Sequence, residues 1–244
     1  MPSLPKSILL SCCFFLTIFF FRITTTGANI ATDYQNKPFV ISTPESYKNT
    51  TLLDSNQLMV PLDSFLSSFY VDFKYATPTN FTGKILYDNP APYLRLPAAK
   101  ALQKAVMLLK DKGLTLKIFD AYRPYAVTKA MWQIVPDARY AANPANGSGH
   151  NRGAAVDVTL AYLATGKELE MPTGFDDFSE KAHHDYSALS ARVLQNRALL
   201  KSVMEQAGFV ALRTEWWHYS LPDAAKNFAL LDLDFDQLKA LGRP

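Results

Sequence analysis

Cysteine is nearly absent from this 244-residue sequence, and both copies, Cys12 and Cys13, lie in one apolar run near the N-terminus. No block of lysine and arginine occurs either, because 25 basic residues are spread among 22 acidic ones for a net charge of +3. A nucleic-acid partner is therefore not expected, since phosphate binding requires a basic patch. No Gly-x-Ser-x-Gly segment is present, so the usual sign of a serine nucleophile is missing as well.

The N-terminal segment is typical of an export signal. Lys6 precedes an uncharged apolar run over residues 8–21, and small residues follow up to Ala28. The run has the length of a signal-peptide core and is short for a membrane span. We predict a signal peptide over residues 1–28, export to the periplasm, and no stable membrane partner after cleavage. An uncleaved membrane anchor is the alternative, and Arg22 beside the run favours it.

The remainder of the chain has the composition of one globular domain, with 48% hydrophobic and 19% charged residues. Residues 29–60 show isolated apolar positions without a helical period, which predicts an extended N-terminal arm. We assign residues 61–244 to a single domain that carries the chemistry.

Hydrophobic spacing within that domain predicts a mixture of helices and strands. The helices are expected at about 97–113, 126–134 and 187–207, and the strands at 114–119, 154–160, 209–212 and 216–221. They do not alternate regularly. This order favours an α+β fold in which helices flank a central, mostly antiparallel sheet.

The first candidate for chemistry is the segment around His150. With cysteine confined to the predicted signal, a bound metal would depend on the four histidines and the acids. His150 lies in a glycine-rich loop and precedes Asp157 by seven residues. Asp157 occupies a predicted strand with apolar neighbours, where a carboxylate needs a cation or several donors.

The second candidate is the segment Glu215-Trp216-Trp217-His218. Bulky aromatic neighbours would raise the pKa of Glu215 by desolvation. In a regular strand, positions 215 and 218 face opposite sides of the sheet. A bulge or turn between them is therefore predicted if both residues serve one site.

Together these residues suit a catalytic zinc site with one ion per chain. His150, Asp157 and His218 make a set of three ligands that leaves a fourth position open. Glu215 would be the general base, and Arg123 would stabilise the oxyanion that develops on an attacked carbonyl. The chemistry expected is metal-assisted amide hydrolysis.

Structural interpretations of the same residues stay open at this point. A lone histidine such as His150 is often only hydrogen-bonded in a core, and Asp120-x-x-Arg123 can be a turn with a weak surface salt bridge. The aromatic residues around Glu215 can be ordinary core. His183-His184 precedes a predicted helix and is best interpreted as capping or structural.

The segment from Ser148 to Asp157 resembles the Ser-x-His-x-x-Gly-x-Ala-x-Asp motif of the zinc D-alanyl-D-alanine peptidases, and Glu215 to Tyr219 resembles their Glu-x-Trp-His motif. Further segments are similar to one branch of that family, the VanX-type D-alanyl-D-alanine dipeptidases, over residues 71–219. These segments are Phe73 to Thr77, Asn80 to Lys84, Asp120 to Pro124, Phe175-Asp176, His183-His184 and Gln195 to Arg197.

The resemblance implies zinc on the three ligands, Glu215 as base and Arg123 as the cation that stabilises the transition state. It also implies that Asp176 holds the amino group of a small dipeptide substrate, D-Ala-D-Ala, and that Tyr75 and Ser148 complete the pocket. The alternatives are a D,D- or L,D-carboxypeptidase or endopeptidase acting on peptidoglycan stems, and a cell-wall-binding module without catalysis.

Two features differ from the VanX-type pattern. Gly149 stands where a second serine is common, and a signal peptide is unexpected because the resistance-type enzymes resemble cytoplasmic proteins. Export suggests another use, such as recycling D-alanine from dipeptide that derives from the cell wall.

Overall fold

The structure is a computed structural model that describes Met1 and residues 38–242. The strands in this part of the chain are β1 (Val40–Ile41), β2 (Met59–Pro61), β3 (Tyr70–Val71), β4 (Tyr93–Arg95), β5 (Leu114–Asp120), β6 (Ala155–Tyr162), β7 (Val210–Ala211), β8 (His218–Ser220) and β9 (Leu230–Leu231). The helices are α1 (Pro44–Leu53), α2 (Leu96–Lys110), α3 (Tyr125–Ile134), α4 (Ala191–Ala207), α5 (Ala224–Asn227) and α6 (Phe235–Ala240).

The predicted signal peptide lies outside the described residues apart from Met1, and so do residues 29–37 of the predicted arm. Among the helices within the described residues, none is both long and apolar enough to span a bilayer.

A five-stranded sheet forms the centre of the fold, in the order β3-β5-β6-β8-β7. Its β3–β5 pair is parallel, and the other neighbouring pairs are antiparallel. This confirms the predicted α+β fold with a mostly antiparallel central sheet. Two small sheets accompany it, an antiparallel β2–β4 pair and a parallel β1–β9 pair.

The register of the central sheet places three polar residues side by side. Asp120 on β5 pairs with Asp157 on β6, and Asp157 pairs with His218 on β8. Residues directly opposite in paired strands share one face of the sheet. An irregularity between Ile118 and Asp120 adjusts the register before this row, as a β-bulge does near functional sites.

The opposite face of β6 forms the main core. Val156, Val158 and Leu160 are fully buried there and cluster with Leu102 of α2 and Leu200 of α4. Each such side chain contributes about 1.5–3 kcal/mol through burial. Alternate residues of β6 therefore face opposite sides, as predicted. One face packs in the core, and the other carries Asp157.

The prediction of an extended arm was wrong for residues 44–53, which form α1. Thr43 caps the helix, since its side chain accepts the Ser46 N–H, and Pro44 occupies the first turn. One buried tyrosine, Tyr47, fixes the helix, and its hydroxyl accepts the Met59 N–H at 2.7 Å. A helix that is held by a cap and one buried ring has no apolar stripe. The spacing of hydrophobic residues therefore did not predict this helix. The Thr-Pro start was the available signal.

Strands near the two ends of the range 38–242 pair with each other. β1 pairs with β9 through Val40 and Leu230, and the Asp232 N–H donates to the Ile41 carbonyl at 2.8 Å. The segment that contains β9 then contacts the loop between β5 and α3. The Asp232 carboxylate accepts the Ala126 N–H at 2.6 Å in the first turn of α3.

Tyr122 completes this connection from the other side. Its hydroxyl lies 3.1 Å from the Leu231 carbonyl and 2.8 Å from the Leu233 carbonyl, and it accepts the Leu233 N–H at 3.2 Å. Tyr122 immediately precedes Arg123. The C-terminal segment therefore supports the loop that carries Arg123.

Candidate active site

Three predicted metal ligands converge at one end of the β6–β8 pair. His150 Nε2 lies 3.1 Å from His218 Nδ1 and 3.3 Å from Asp157 Oδ2. His218 Nδ1 lies 2.9 Å from Asp157 Oδ1. One ligand atom from each residue lies within 4.8 Å of the other two. The structure thus brings together the three residues that the sequence singled out.

The local structure fixes the orientation of His150. The residue opens a short 3-10 turn, His150–Arg152, and its ring is buried. Nδ1 lies 2.7 Å from the Ala121 carbonyl oxygen, which accepts a hydrogen bond and so requires the proton on Nδ1. The other ring nitrogen, Nε2, is directed at Asp157 and His218, as in histidines that bind a metal through one nitrogen and hydrogen-bond through the other.

Asp157 keeps its negative charge despite its burial. Burial opposes ionisation, but the neighbouring His150 and His218 rings hold the pKa of Asp157 below its ordinary value. Two imidazoles and one ionised carboxylate that share a single point form a donor set suited to zinc. The residues present therefore fit the predicted metal.

Glu215 reaches the same site through a turn. The Glu215 N–H donates to the Leu212 carbonyl at 3.2 Å, and the His218 N–H donates to the Glu215 carbonyl at 3.3 Å. This turn is the departure from regular strand geometry that the spacing of Glu215 and His218 required. Burial raises the pKa of Glu215 to about 7, which places its proton exchange near neutrality.

Arg123 lines the site and is held by a buried ion pair. Its Nε and Nη2 donate to Asp120 Oδ2 at 3.0 and 2.7 Å, and its guanidinium lies 5.0 Å from the ring centre of Tyr75. Both partners of this ion pair are buried. The interpretation of Asp120-x-x-Arg123 as a weak surface salt bridge was therefore wrong.

Asp120 is a residue whose part in the site the sequence did not reveal. Its other oxygen, Oδ1, accepts the Tyr87 hydroxyl at 2.7 Å and the Ala121 N–H at 2.9 Å. Both oxygens of this fully buried carboxylate are thus engaged. Its place at the end of β5 was a usable signal, whereas nothing in the sequence distinguished Tyr87.

Asp176 and Tyr75 form a second group of polar atoms at the cavity. The Tyr75 hydroxyl donates to Asp176 Oδ1 at 3.1 Å, and burial keeps the pKa of Tyr75 well above its ordinary value. Asp176 Oδ2 is buried and has no hydrogen-bond partner among the described residues. Burial raises the pKa of Asp176 to about 7, and the charge of Asp157 adds to the shift. A cationic partner would satisfy the free oxygen.

Ser148 lies where the glycine-rich loop enters the cavity. Its N–H donates to Asn151 Oδ1 at 3.0 Å, and its Oγ accepts the Asn151 N–H at 3.2 Å. Asn151 also donates to the Arg123 carbonyl at 2.9 Å, a connection that the sequence did not reveal. A side chain at Gly149 would place its Cβ 2.8 Å from that of Ala155, so glycine lets the loop lie against β6.

These groups surround one cavity of about 220 Å³. Its lining contains every predicted site residue, namely Tyr75, Arg123, Ser148, His150, Asp157, Asp176, Glu215 and His218. His183 and His184 do not line it. The His184 ring packs against Tyr219 with centroids 6.1 Å apart, in agreement with the structural interpretation of this pair.

A family model described as D-ala-D-ala dipeptidase matches residues 55–237 of the chain. The D-alanyl-D-alanine dipeptidase of Escherichia coli K12 is 37% identical over 174 residues, which cover 71% of this chain and 90% of that protein. The protein of the same name from Enterococcus faecalis V583 is 34% identical over 194 residues, 69% of this chain and 96% of that protein.

Solved structures with a similar fold include VanYB in complex with D-alanine-D-alanine, at 13% identity and a TM-score of 0.37 over 57% of this chain and 78% of that one. Another is the LdcB LD-carboxypeptidase, at 21% identity and a TM-score of 0.36 over 55% of this chain and 62% of that one. At these scores the likeness supports no conclusion about the site.

Proposed function

This chain belongs to the D-Ala-D-Ala dipeptidase family of peptidases, and from that premise we propose that it hydrolyses free D-alanyl-D-alanine with one zinc ion on His150, Asp157 and His218. One observation carries the proposal. The three ligand atoms that converge within 4.8 Å line the same small cavity as Glu215, a half-buried carboxylate with a raised pKa, and the fixed guanidinium of Arg123.

Zinc bound there would polarise the scissile carbonyl and make water more acidic. Glu215 would accept a proton from the attacking water and deliver it to the leaving amine, so that one C–O bond forms and the C–N bond breaks. Its pKa of about 7 suits both transfers near neutral pH. Arg123, fixed by Asp120, would stabilise the negative charge that develops on the carbonyl oxygen.

The unpaired oxygen of Asp176 supports a substrate with a free amino group. An ammonium beside Asp176 would satisfy the buried carboxylate, with Tyr75 holding its other oxygen. An acylated amino group would leave the carboxylate without a cation, a cost that allows strong discrimination. Ser148 would contribute a further polar contact in the same pocket.

The size of the cavity supports a small substrate. Pockets for drug-sized ligands have volumes of about 300–1,000 Å³, and this cavity has about 220 Å³. A dipeptide suits that space better than a peptidoglycan stem peptide does.

We further propose that the enzyme acts in the periplasm on dipeptide derived from the cell wall and so recycles D-alanine. The support is the apolar run over residues 8–21 with small residues up to Ala28. Fractionation of the cells tests this. Mature protein and activity are expected in the periplasmic fraction, and activity found only in the cytosol would overturn it.

The direct test of the activity compares three substrates with and without a chelator. The purified protein is incubated with D-Ala-D-Ala, with N-acetyl-D-Ala-D-Ala and with a stem pentapeptide. Hydrolysis of the free dipeptide alone, abolished by the chelator, is the expected result. Preferred cleavage of the pentapeptide would instead indicate a carboxypeptidase.

A further inference from the structure

A second cavity of about 500 Å³ adjoins the active-site cavity. Tyr140, Asp176 and Phe178 line both cavities. These three residues stand where the two cavities meet, and we call them the wall. The outer cavity is otherwise lined partly by apolar side chains, among them Phe81 and Val135.

Aromatic contacts hold this wall together. The rings of Tyr140 and Phe178 meet edge to face with centroids 4.9 Å apart. Phe178 also contacts Phe81 at 5.7 Å on the outer side and Trp217 at 6.3 Å on the inner side. Phe178 thus stands at the centre of a row of rings that runs from the outer cavity to the active site. Edge-to-face geometry is the favoured arrangement for such rings.

The wall lies where a substrate's amino terminus would be. Under the proposed function, that amino group faces Asp176, which belongs to the wall itself. Any group attached to the amino nitrogen would have to extend past Asp176. Tyr140 and Phe178, which line both cavities together with Asp176, are in edge-to-face contact there.

We propose that the contact between Tyr140 and Phe178 determines the length of substrate that the site accepts. It closes the active-site cavity behind Asp176, and so confines hydrolysis to peptides that end there. The outer cavity is the place that an acyl group or an additional residue would occupy once this contact is removed. The inference rests on the proposed dipeptidase activity and assigns its specificity to two named rings.

The wall and the charge of Asp176 would restrict the substrate in different ways, and their removal would change the kinetic constants differently. Loss of the charge would weaken binding of the free dipeptide without creating space. Loss of a ring would create space and raise activity on the acylated dipeptide. In variants that keep Asp176, the value of kcat/KM for N-acetyl-D-Ala-D-Ala therefore reports on the wall.

The test measures kcat/KM for D-Ala-D-Ala and for N-acetyl-D-Ala-D-Ala with the purified zinc-loaded protein. Tyr140→Ala and Phe178→Ala are expected to raise the value for the acetylated dipeptide by about tenfold or more, while Tyr140→Phe keeps the wild-type value because the ring remains. Tyr162→Ala is the matched control, since Tyr162 has a similar exposure of 50% against 39% for Tyr140 and does not line either cavity.

Tyr140 is half exposed on a loop, so its alanine variant should fold even if Phe178→Ala does not, and circular dichroism verifies this. An unchanged kcat/KM for the acetylated dipeptide, in a folded Tyr140→Ala protein that still cleaves D-Ala-D-Ala, would refute the role of the wall. The proposed dipeptidase activity would stand. A wild-type protein that cleaves neither dipeptide would refute the proposed function, and with it the role of the wall in specificity.

Discussion

At the scale of single residues, three carboxylates around the site differ in what surrounds them. Asp120 is paired with Arg123, Asp157 lies between two imidazoles, and Asp176 receives one tyrosine hydroxyl. Its guanidinium partner makes Asp120 a residue that positions Arg123. The two ring nitrogens beside Asp157 suit that residue to metal binding, and the unpaired oxygen of Asp176 suits it to a cationic ligand. Environment rather than residue type separates the three roles.

The buried ion pair predicts a large effect for Asp120→Asn. The variant leaves the Arg123 guanidinium buried without a counter-charge, which costs about 3–5 kcal/mol of unfolding free energy. Turnover should also fall, since Arg123 is no longer fixed. Chemical denaturation and kcat measure the two effects. The matched control is Asp137→Asn, which breaks the exposed pair with Arg139 and should change stability little. Equal denaturation midpoints for the two variants would contradict this account.

Asp176→Asn tests recognition of the amino group. Asp176 adopts a φ of 60°, which asparagine tolerates, so the variant should fold. Loss of the charge should lower kcat/KM for D-Ala-D-Ala by about 10–100-fold, the value of a charged hydrogen bond, and so reduce discrimination against the acetylated dipeptide. Asp177→Asn, at the exposed neighbouring position, is the control. An unchanged kcat/KM for the free dipeptide would remove Asp176 from this role.

His184 predicts a dependence of stability on pH. Burial lowers the pKa of His184 from 6.5 to about 4, and the charges of Lys201 and Arg197 add to the shift. The unfolded chain therefore binds this proton more readily than the folded one between these values, so the free energy of unfolding falls as pH drops from about 6.5 to about 4. His184→Phe keeps the ring against Tyr219 and should reduce that slope. Denaturation curves at several pH values measure it, and an identical slope in the variant would exclude His184 as a cause.

At the scale of elements, long patterned segments could be predicted and short ones could not. The alternation of β5 and β6 and the stripe of α2 are local properties of sequence, so their positions followed from hydrophobic spacing. Strands of two residues such as β3 and β9 exist only because a partner strand pairs with them. Helix α1 was missed because one buried tyrosine and a Thr43 cap give it no periodic face.

The connection between β9 and the loop before α3 yields a prediction of its own. Tyr122→Phe removes the hydroxyl that bridges Leu231 and Leu233 and leaves buried backbone groups without that partner. The expected loss is about 1–3 kcal/mol of unfolding free energy, with a lower kcat because Arg123 follows directly in the chain. Tyr125→Phe, whose hydroxyl bonds the Pro144 carbonyl in a partly exposed setting, is the control. Equal losses of unfolding free energy in both variants would show that the Tyr122 hydroxyl stabilises the fold no more than the Tyr125 hydroxyl does.

At the scale of the whole molecule, metal and substrate residues were predictable to different degrees. His150, Asp157 and His218 lie at or beside patterned strands, so their convergence followed from motif spacing and sheet pairing. Tyr140 and Asp176 lie on loops. The Tyr140 ring contacts Phe178, and Phe178 in turn contacts the distant rings of Phe81 and Trp217. Residue chemistry indicates a zinc hydrolase, while the wall that selects the substrate requires the folded structure.

Under the proposed function, the chain is a zinc peptidase in which Glu215 moves the proton and does not hold the metal. The most direct measurement determines zinc content and D-Ala-D-Ala turnover together for the wild type and Glu215→Ala. One zinc per chain is expected in both proteins, with loss of turnover in the variant alone. A variant as active as the wild type, or a wild-type protein that is active without metal, would contradict it.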